Sequence, residues 1–219
     1  MDTVHIKPKT RDRPRRRRTY RHGDLHRALL AAGIALARAG GPEAVVLREA
    51  TRRAGVVPNA AYRHFDSREA LLRAVRSAAL SALAVAMEAE LARVPAGAPA
   101  EVARAGVRAI GTAYLRFAQT ETGLFRTAFV VAGEPPSAVE PGMARGSGLN
   151  PFELLGAALD RLVAARVLPL ERRPGAEYLA WSAVHGLAML VLDGPLHSFA
   201  PADVAAIGQR LLDMVEQGL

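Results

Sequence analysis

The sequence predicts an all-α protein of about nine helices, and three observations predict it. Strand formers are sparse among the 219 residues, while Ala, Leu, Arg and Val dominate, a composition that favours helix. Apolar residues recur at spacings of three and four, which places them on one face of a helix. Short groups of Gly and Pro separate these periodic stretches, ending one helix and opening the next. Half of the residues are apolar, enough for a sizeable core.

The first helical period begins at Asp24, a suitable cap or first-turn acid, and carries Leu25, Leu29, Ala32 and Leu36 on one side. Gly40-Gly41-Pro42 stops it. A short second helix is expected at about 47–54, a tight break at Gly55-Val56-Val57, and a third helix opened by Pro58 and running to about residue 65. Asp66-Ser67 caps a long fourth helix that reaches about residue 91 and forms a strut to the rest of the chain. A Pro/Gly linker follows at 95–99, then a helix over about 100–119 and a short apolar one over 124–131. Residues 133–149 are rich in Gly, Pro and Ser and read as a mobile loop. Asn150-Pro151-Phe152-Glu153 is a strong helix start, with cap, proline and acid in order. Pro174 and Pro201 open the last two helices, which end near residues 192 and 217. The spacing shows no internal repeat.

The net charge of +8 is unevenly placed. Residues 1–22 hold nine Lys/Arg against two Asp, residues 23–76 nine Arg against five acids, and residues 77–219 eleven Arg against fourteen acids. A basic front on an acidic body points to a polyanion partner for the front alone; a solvated charged tail is the plain alternative. The stretch 1–21, with Pro8, Pro14 and Arg15-Arg16-Arg17-Arg18, reads as a disordered basic arm. The absence of cysteine excludes disulfides and thiolate metal sites and fits a cytoplasmic protein. The charged N-terminus lacks the apolar stretch of a secretory signal, and no unbroken apolar run of about 18 residues points to a membrane span.

Two short helices around Gly55 form a helix-turn-helix candidate. Alone they are marginal, so they must pack on the first and fourth helices. The second helix of such a motif enters the major groove, and here its residues are Pro58, Asn59, Ala60 and Ala61, followed by Tyr62, Arg63 and His64. Asn pairs with adenine, a small apolar side chain meets a thymine methyl, and Tyr62 and His64 can donate to phosphates. Arg48 in the preceding helix and the arginines of the arm, Arg15 to Arg18, complete the expected DNA-binding set.

The stretch from Leu25 to Val75 resembles the DNA-binding domain of TetR-family regulators. The residues that carry the likeness are Leu47-Arg48-Glu49-Ala50-Thr51-Arg52-Arg53-Ala54-Gly55-Val56, Ala61-Tyr62-Arg63-His64-Phe65 and Ser67-Arg68-Glu69-Ala70-Leu71-Leu72. The resemblance implies phosphate contacts from Tyr62, His64 and Arg68, and a core position for Phe65. Three positions depart from the family pattern: Val57 replaces a capping Ser or Thr, Thr51 replaces a small residue, and Ala61 replaces a larger apolar one. Further on, Tyr114-Leu115-Arg116-Phe117-Ala118, Gly123-Leu124-Phe125-Arg126 and Trp181-Ser182-Ala183-Val184-His185-Gly186-Leu187 resemble the regulatory domain of the subgroup named for its Trp-His-Gly pattern. The resemblance implies a helix-turn-helix DNA-binding domain over 22–72 and a ligand-sensing and dimerisation bundle over 73–219. It implies a homodimer joined through the last two long helices, which here carry Ala183, Leu187, Leu190 and Val191, then Ile207, Leu211 and Met214.

The expected partners are double-stranded DNA with a pseudo-palindromic operator, a second copy of the chain, and a largely apolar small molecule. The candidate ligand pocket is Tyr114, Phe117, Phe125, Phe129, Phe152, Trp181 and His185; the plain alternative is that these aromatics are ordinary core. No metal site, cofactor or catalytic residue is expected. His185 shares a helix face with Ser182, but no carboxylate or second His stands at ligand spacing, so a core histidine bonding across helices is the expected role. His22 and His26 are four apart, where DNA contact is a better reading than metal. Two other functions stay open at this point: a DNA-coating protein indifferent to sequence, and a helical enzyme acting on a small molecule.

Overall fold

The computed structural model describes residues 22–130 and 146–218. The arm with Arg15, Arg16, Arg17 and Arg18, and most of the loop expected at 133–149, lie outside the described residues. Within them are α1 (His22–Gly40), α2 (Leu47–Ala54), α3 (Pro58–Ala61), α4 (Arg68–Leu91), α5 (Pro99–Thr120), α6 (Thr122–Phe129), α7 (Pro151–Ala164), α8 (Ala176–Leu192) and α9 (Pro201–Gly218). Short 3-10 turns occur at Pro42–Ala44 and Leu170–Arg172, and there is no strand among the described residues.

Local chemistry accounts for the helix ends. Gly55 terminates α2 in the left-handed conformation at φ 70°, ψ 30°. Its N–H donates to the Arg52 carbonyl at 3.2 Å and the Val56 N–H to the Thr51 carbonyl at 3.1 Å, the paired bonds of a Schellman ending. The Ser67 hydroxyl accepts from the Ala70 N–H at 3.1 Å and starts α4. At α7 the Asn150 side chain accepts from the N–H groups of Phe152 and Glu153, both at 2.9 Å, and Glu153 accepts from the Asn150 N–H at 2.8 Å, a complete capping box.

Several ends differ from expectation: α1 opens at His22 rather than Asp24, and α6 runs over Thr122–Phe129 rather than 124–131. The α-helix α3 stops at Ala61 instead of residue 65, although the Phe65 N–H still reaches the Ala61 carbonyl at 2.9 Å through a turn. Its end tightens instead, because the His64 N–H turns to the Ala61 carbonyl at 2.8 Å, a three-residue step that closes the α-helical ladder. Helix α8 opens at Ala176, two residues past Pro174, because Gly175 takes φ 79° and sets the entry.

One apolar core runs through the whole molecule. It begins with Leu29 and Leu36 on α1 and continues through Leu71, Leu80 and Leu83 on α4. It reaches Ile110 and Phe117 on α5, Leu124 and Phe125 on α6, and Leu159 and Leu162 on α7. Helix α4 is its spine, packed against α1, α5, α6 and α7. It is the one described helix long and apolar enough to cross a membrane, yet 67% of its apolar stretch is buried inside the protein, as a core helix requires. The same helix passes unbroken through residue 72, so both expected domains share it.

Candidate nucleic-acid interface and internal cavity

The helix-turn-helix stands at one end of α4. Ala50, Ala61 and Phe65 are buried and hold α2 and α3 against α1, with Phe65 stacked on the His26 ring at 4.7 Å. Thr51 is buried where a small residue is usual, and its hydroxyl donates to the Arg48 carbonyl at 2.6 Å, so the extra polar group is satisfied within its own helix. Asn59, Tyr62 and Arg63 are exposed, Tyr62 by 57%. Ala60 and His64 are half-buried, the His64 ring meeting His26 edge-on at 6.2 Å, and Pro58 forms the first turn of α3. On α2, Arg48 is exposed. Glu49 bonds Arg52 at 2.6 Å and Arg53 at 3.3 Å, and those bonds, Arg52 first, hold its carboxyl down to about 2. Arg68 is half-buried and donates to the Pro42 carbonyl at 2.8 Å, so one of its donors ties the start of α4 to the end of α1.

The second feature is internal. A cavity of about 40 Å³ lies between α4, α5, α6, α7, α8 and α9, with Tyr114, Phe129, Phe152 and Trp181 on its wall. These four were candidates from sequence. Phe117 does not line it and is buried elsewhere in the core, and Phe125 stands behind the wall, packed edge-on to Tyr114 at 5.3 Å. His185 also stands behind the wall and bonds across helices: its Nδ1 lies 2.8 Å from the Tyr114 hydroxyl, which also accepts from Trp181 Nε1 at 3.1 Å. Burial lowers the pKa of His185 and raises that of Tyr114, so the neutral forms of both are favoured. The rest of the wall is aliphatic, including Leu80, Val107, Ile110, Leu155 and Val184, which sequence reasoning missed. Such residues share the spacing of the core, and only the void beside them sets them apart. Among the described residues no group of three His, Asp or Glu converges as metal ligands would.

Helix α6 joins the two features. Its C-terminal Phe129 lines the cavity, and its N-terminal Gly123 abuts α1 so closely that an added Cβ would lie 2.2 Å from the Ala37 carbonyl oxygen. Arg38 of α1 pairs with Glu121 at 2.7 Å beside this contact. Arg76, a buried cation on α4, donates from Nε to the Ala128 carbonyl at 3.1 Å, where the α6 dipole is negative.

The outer face of α8 and α9 is apolar and open. Leu179 is 65% exposed, Leu190 45% and Met214 60%, and a Cβ added at Gly186 would meet nothing within 4 Å. Of the residues expected at a dimer interface, Leu190 and Met214 lie on this face, Ala183, Val191, Ile207 and Leu211 are half-buried at its edge, and Leu187 is buried in the protomer's own core.

Comparison with known proteins accords with this layout. Residues 29–75 match the family described as bacterial regulatory proteins of the tetR family, and residues 107–215 match the tetracyclin repressor-like C-terminal domain. No curated protein matches the chain. Among solved structures, a protein of unknown function from a Rhodococcus species is 26% identical, with TM-score 0.66 over 93% of this chain and 99% of its own. The TetR family transcriptional regulator PfmR from Thermus thermophilus is 20% identical, with TM-score 0.51 over 88% of this chain and 95% of its own, a likeness of fold. The helix-turn-helix match and the second match together span the α1–α4 head and the cavity-bearing bundle: the chain belongs to the TetR family of DNA-binding transcriptional regulators.

Proposed function

We propose that this regulator is a ligand-responsive repressor that binds a pseudo-palindromic operator as a homodimer and is released by a largely apolar small molecule. The observation that carries this reading is the path from cavity to recognition helix. Phe129 on the cavity wall and Gly123 against α1 lie on the same two-turn helix, α6. A ligand that enlarges the cavity displaces α6 and α4, and with them the base of the helix-turn-helix. Release requires that the ligand bind the displaced state more tightly than the DNA-bound one.

The open apolar face of α8 and α9 supports dimerisation: Leu179, Leu190 and Met214 are about half exposed, and burying the remainder against a second copy would add about half the stabilisation of a fully buried apolar side chain, about 1 kcal/mol each. Two copies of α3 related by a two-fold axis then face successive turns of one groove. In this arrangement Asn59 and Ala60 read base edges, while Arg48, Tyr62, Arg63, His64 and Arg68 meet phosphates.

Selection of duplex DNA from a random pool at near-physiological salt tests the reading. Enrichment of one inverted repeat is the expected result. Tight binding with no enriched sequence would favour the coating protein, with the basic arm as its main contact.

A further inference from the structure

The polar chemistry of the cavity narrows what can occupy it. Tyr114 and Trp181 supply the only side-chain N–H and O–H groups among its described lining residues, and none of those residues is charged. Trp181 Nε1–H is a donor only, and it is engaged on the Tyr114 oxygen. The Tyr114 hydroxyl then has one of two states, set by the His185 tautomer. If it donates to His185 Nδ1, one of its lone pairs is still unfilled. If Nδ1–H donates to it, both lone pairs are filled and its own proton is free to turn to a ligand. The site therefore offers either one acceptor or one donor, never a fixed charge.

A ligand hydroxyl, which donates and accepts, fits both states. A carboxylate fits only the second and would be buried without a cation, which is strongly disfavoured. An ammonium would find rings but no carboxylate. The wall rings Phe129, Phe152 and Trp181 are inclined to one another and pack together, with centroid separations of 6.0 Å for Phe129–Trp181 and 6.2 Å for Phe152–Trp181, and no carboxylate among the described lining residues would balance a buried cation there. A void of about 40 Å³ holds about three waters, against roughly 150 Å³ for a cavity that takes benzene, so even a single ring must displace the wall on entry, as the release mechanism requires, and a larger ligand would have to displace it further.

We propose that the effector is a neutral, single-ring aromatic molecule bearing one hydroxyl, recognised through the Tyr114–His185 pair. The lowered pKa of His185 keeps that pair uncharged at neutral pH. The inference rests on the reading of this cavity as the effector site.

Trp181 is the only tryptophan in the chain and stands on the cavity wall, so its emission reports occupancy directly. The probes are para-cresol, toluene, para-toluate and phenyltrimethylammonium, titrated against the full-length protein with red-edge excitation. The expected result is saturable binding of para-cresol about tenfold tighter than toluene, the factor one net hydrogen bond gives, and no saturable response to the two ions. In Tyr114→Phe, and separately in His185→Gln, the cresol-to-toluene ratio falls towards one. Each variant is its own reference, so a general loosening of the cavity cancels in the ratio. Tighter binding of either ion, a ratio near one in the wild type, or a ratio that survives both substitutions would overturn the ligand class while leaving the cavity an effector site. Silence of Trp181 towards all four probes would overturn the effector reading together with the ligand class.

Discussion

At the scale of the residue, function here depends on where a few polar atoms are left by the packing. Tyr62 is exposed beside α3 while its neighbours Ala61 and Phe65 are sealed in the core. If the Tyr62 hydroxyl meets a phosphate, Tyr62→Phe weakens DNA binding by about 1 kcal/mol, equally over all sequences. A loss confined to some sequences, measured by competition among duplexes, would assign Tyr62 to base reading instead. His185 has a different consequence. Burial favours its neutral form in the fold, below the usual histidine value of 6.5. As pH falls through that value the unfolded chain takes up the proton first, so stability is held above it and declines below it until the folded His185 also protonates. His185→Gln should flatten the acid side of the stability profile, read by denaturant unfolding at several pH values; an unchanged profile would contradict this. The exposed place of Tyr62 beside α3 and the cross-helix role of His185 were legible in sequence, the first from the helix-turn-helix spacing and the second from the lack of any ligand-spaced partner. The bond from His185 to Tyr114 was not, because it joins residues 71 positions apart and only the crossing of α5 and α8 brings them together.

At the scale of the element, α6 is the link on which the account turns. It is eight residues long, too short to be stable by itself, and is held by α1 at one end and by Arg76 of α4 at the other. Gly123→Ala places a methyl against the Ala37 and Arg38 carbonyls, so α1 and α6 must part. A loss of about 1–3 kcal/mol in unfolding free energy is expected, and with it a weaker response of DNA binding to occupancy of the cavity. Wild-type stability in this variant would mean that the α1–α6 contact yields without cost. Periodicity placed the helices well where caps were strong, at Ser67 and at Asn150. It failed at α3, whose end tightens into a turn at His64, and at α8, where Gly175 rather than Pro174 sets the start. The cavity was only partly legible for a related reason: its aromatic wall stood out by residue type, whereas its aliphatic wall has the same spacing as solid core.

At the scale of the whole molecule, the net positive charge lies in residues 1–76 and the excess of acids in residues 77–219. Deleting residues 1–18 removes a large share of the positive charge and should weaken DNA binding and flatten its dependence on salt, while the preferred sequence stays the same. An unchanged salt slope would place the arm off the DNA. The proposed dimerisation through α8 and α9 and the proposed recognition through α3 meet in one quantity, the separation of the two recognition helices. The chain has no cysteine, so Asp66→Cys, exposed between α3 and α4, introduces one spin-label site per subunit. The distance between the two labels on the selected inverted repeat, measured by pulsed electron resonance, tests the account most directly. One narrow distribution near a helical turn of DNA or a multiple of it, about 34–36 Å per turn, that moves when the cavity is occupied, is the predicted result. The absence of any intersubunit distance, or a separation that ignores the occupant of the cavity, would contradict it.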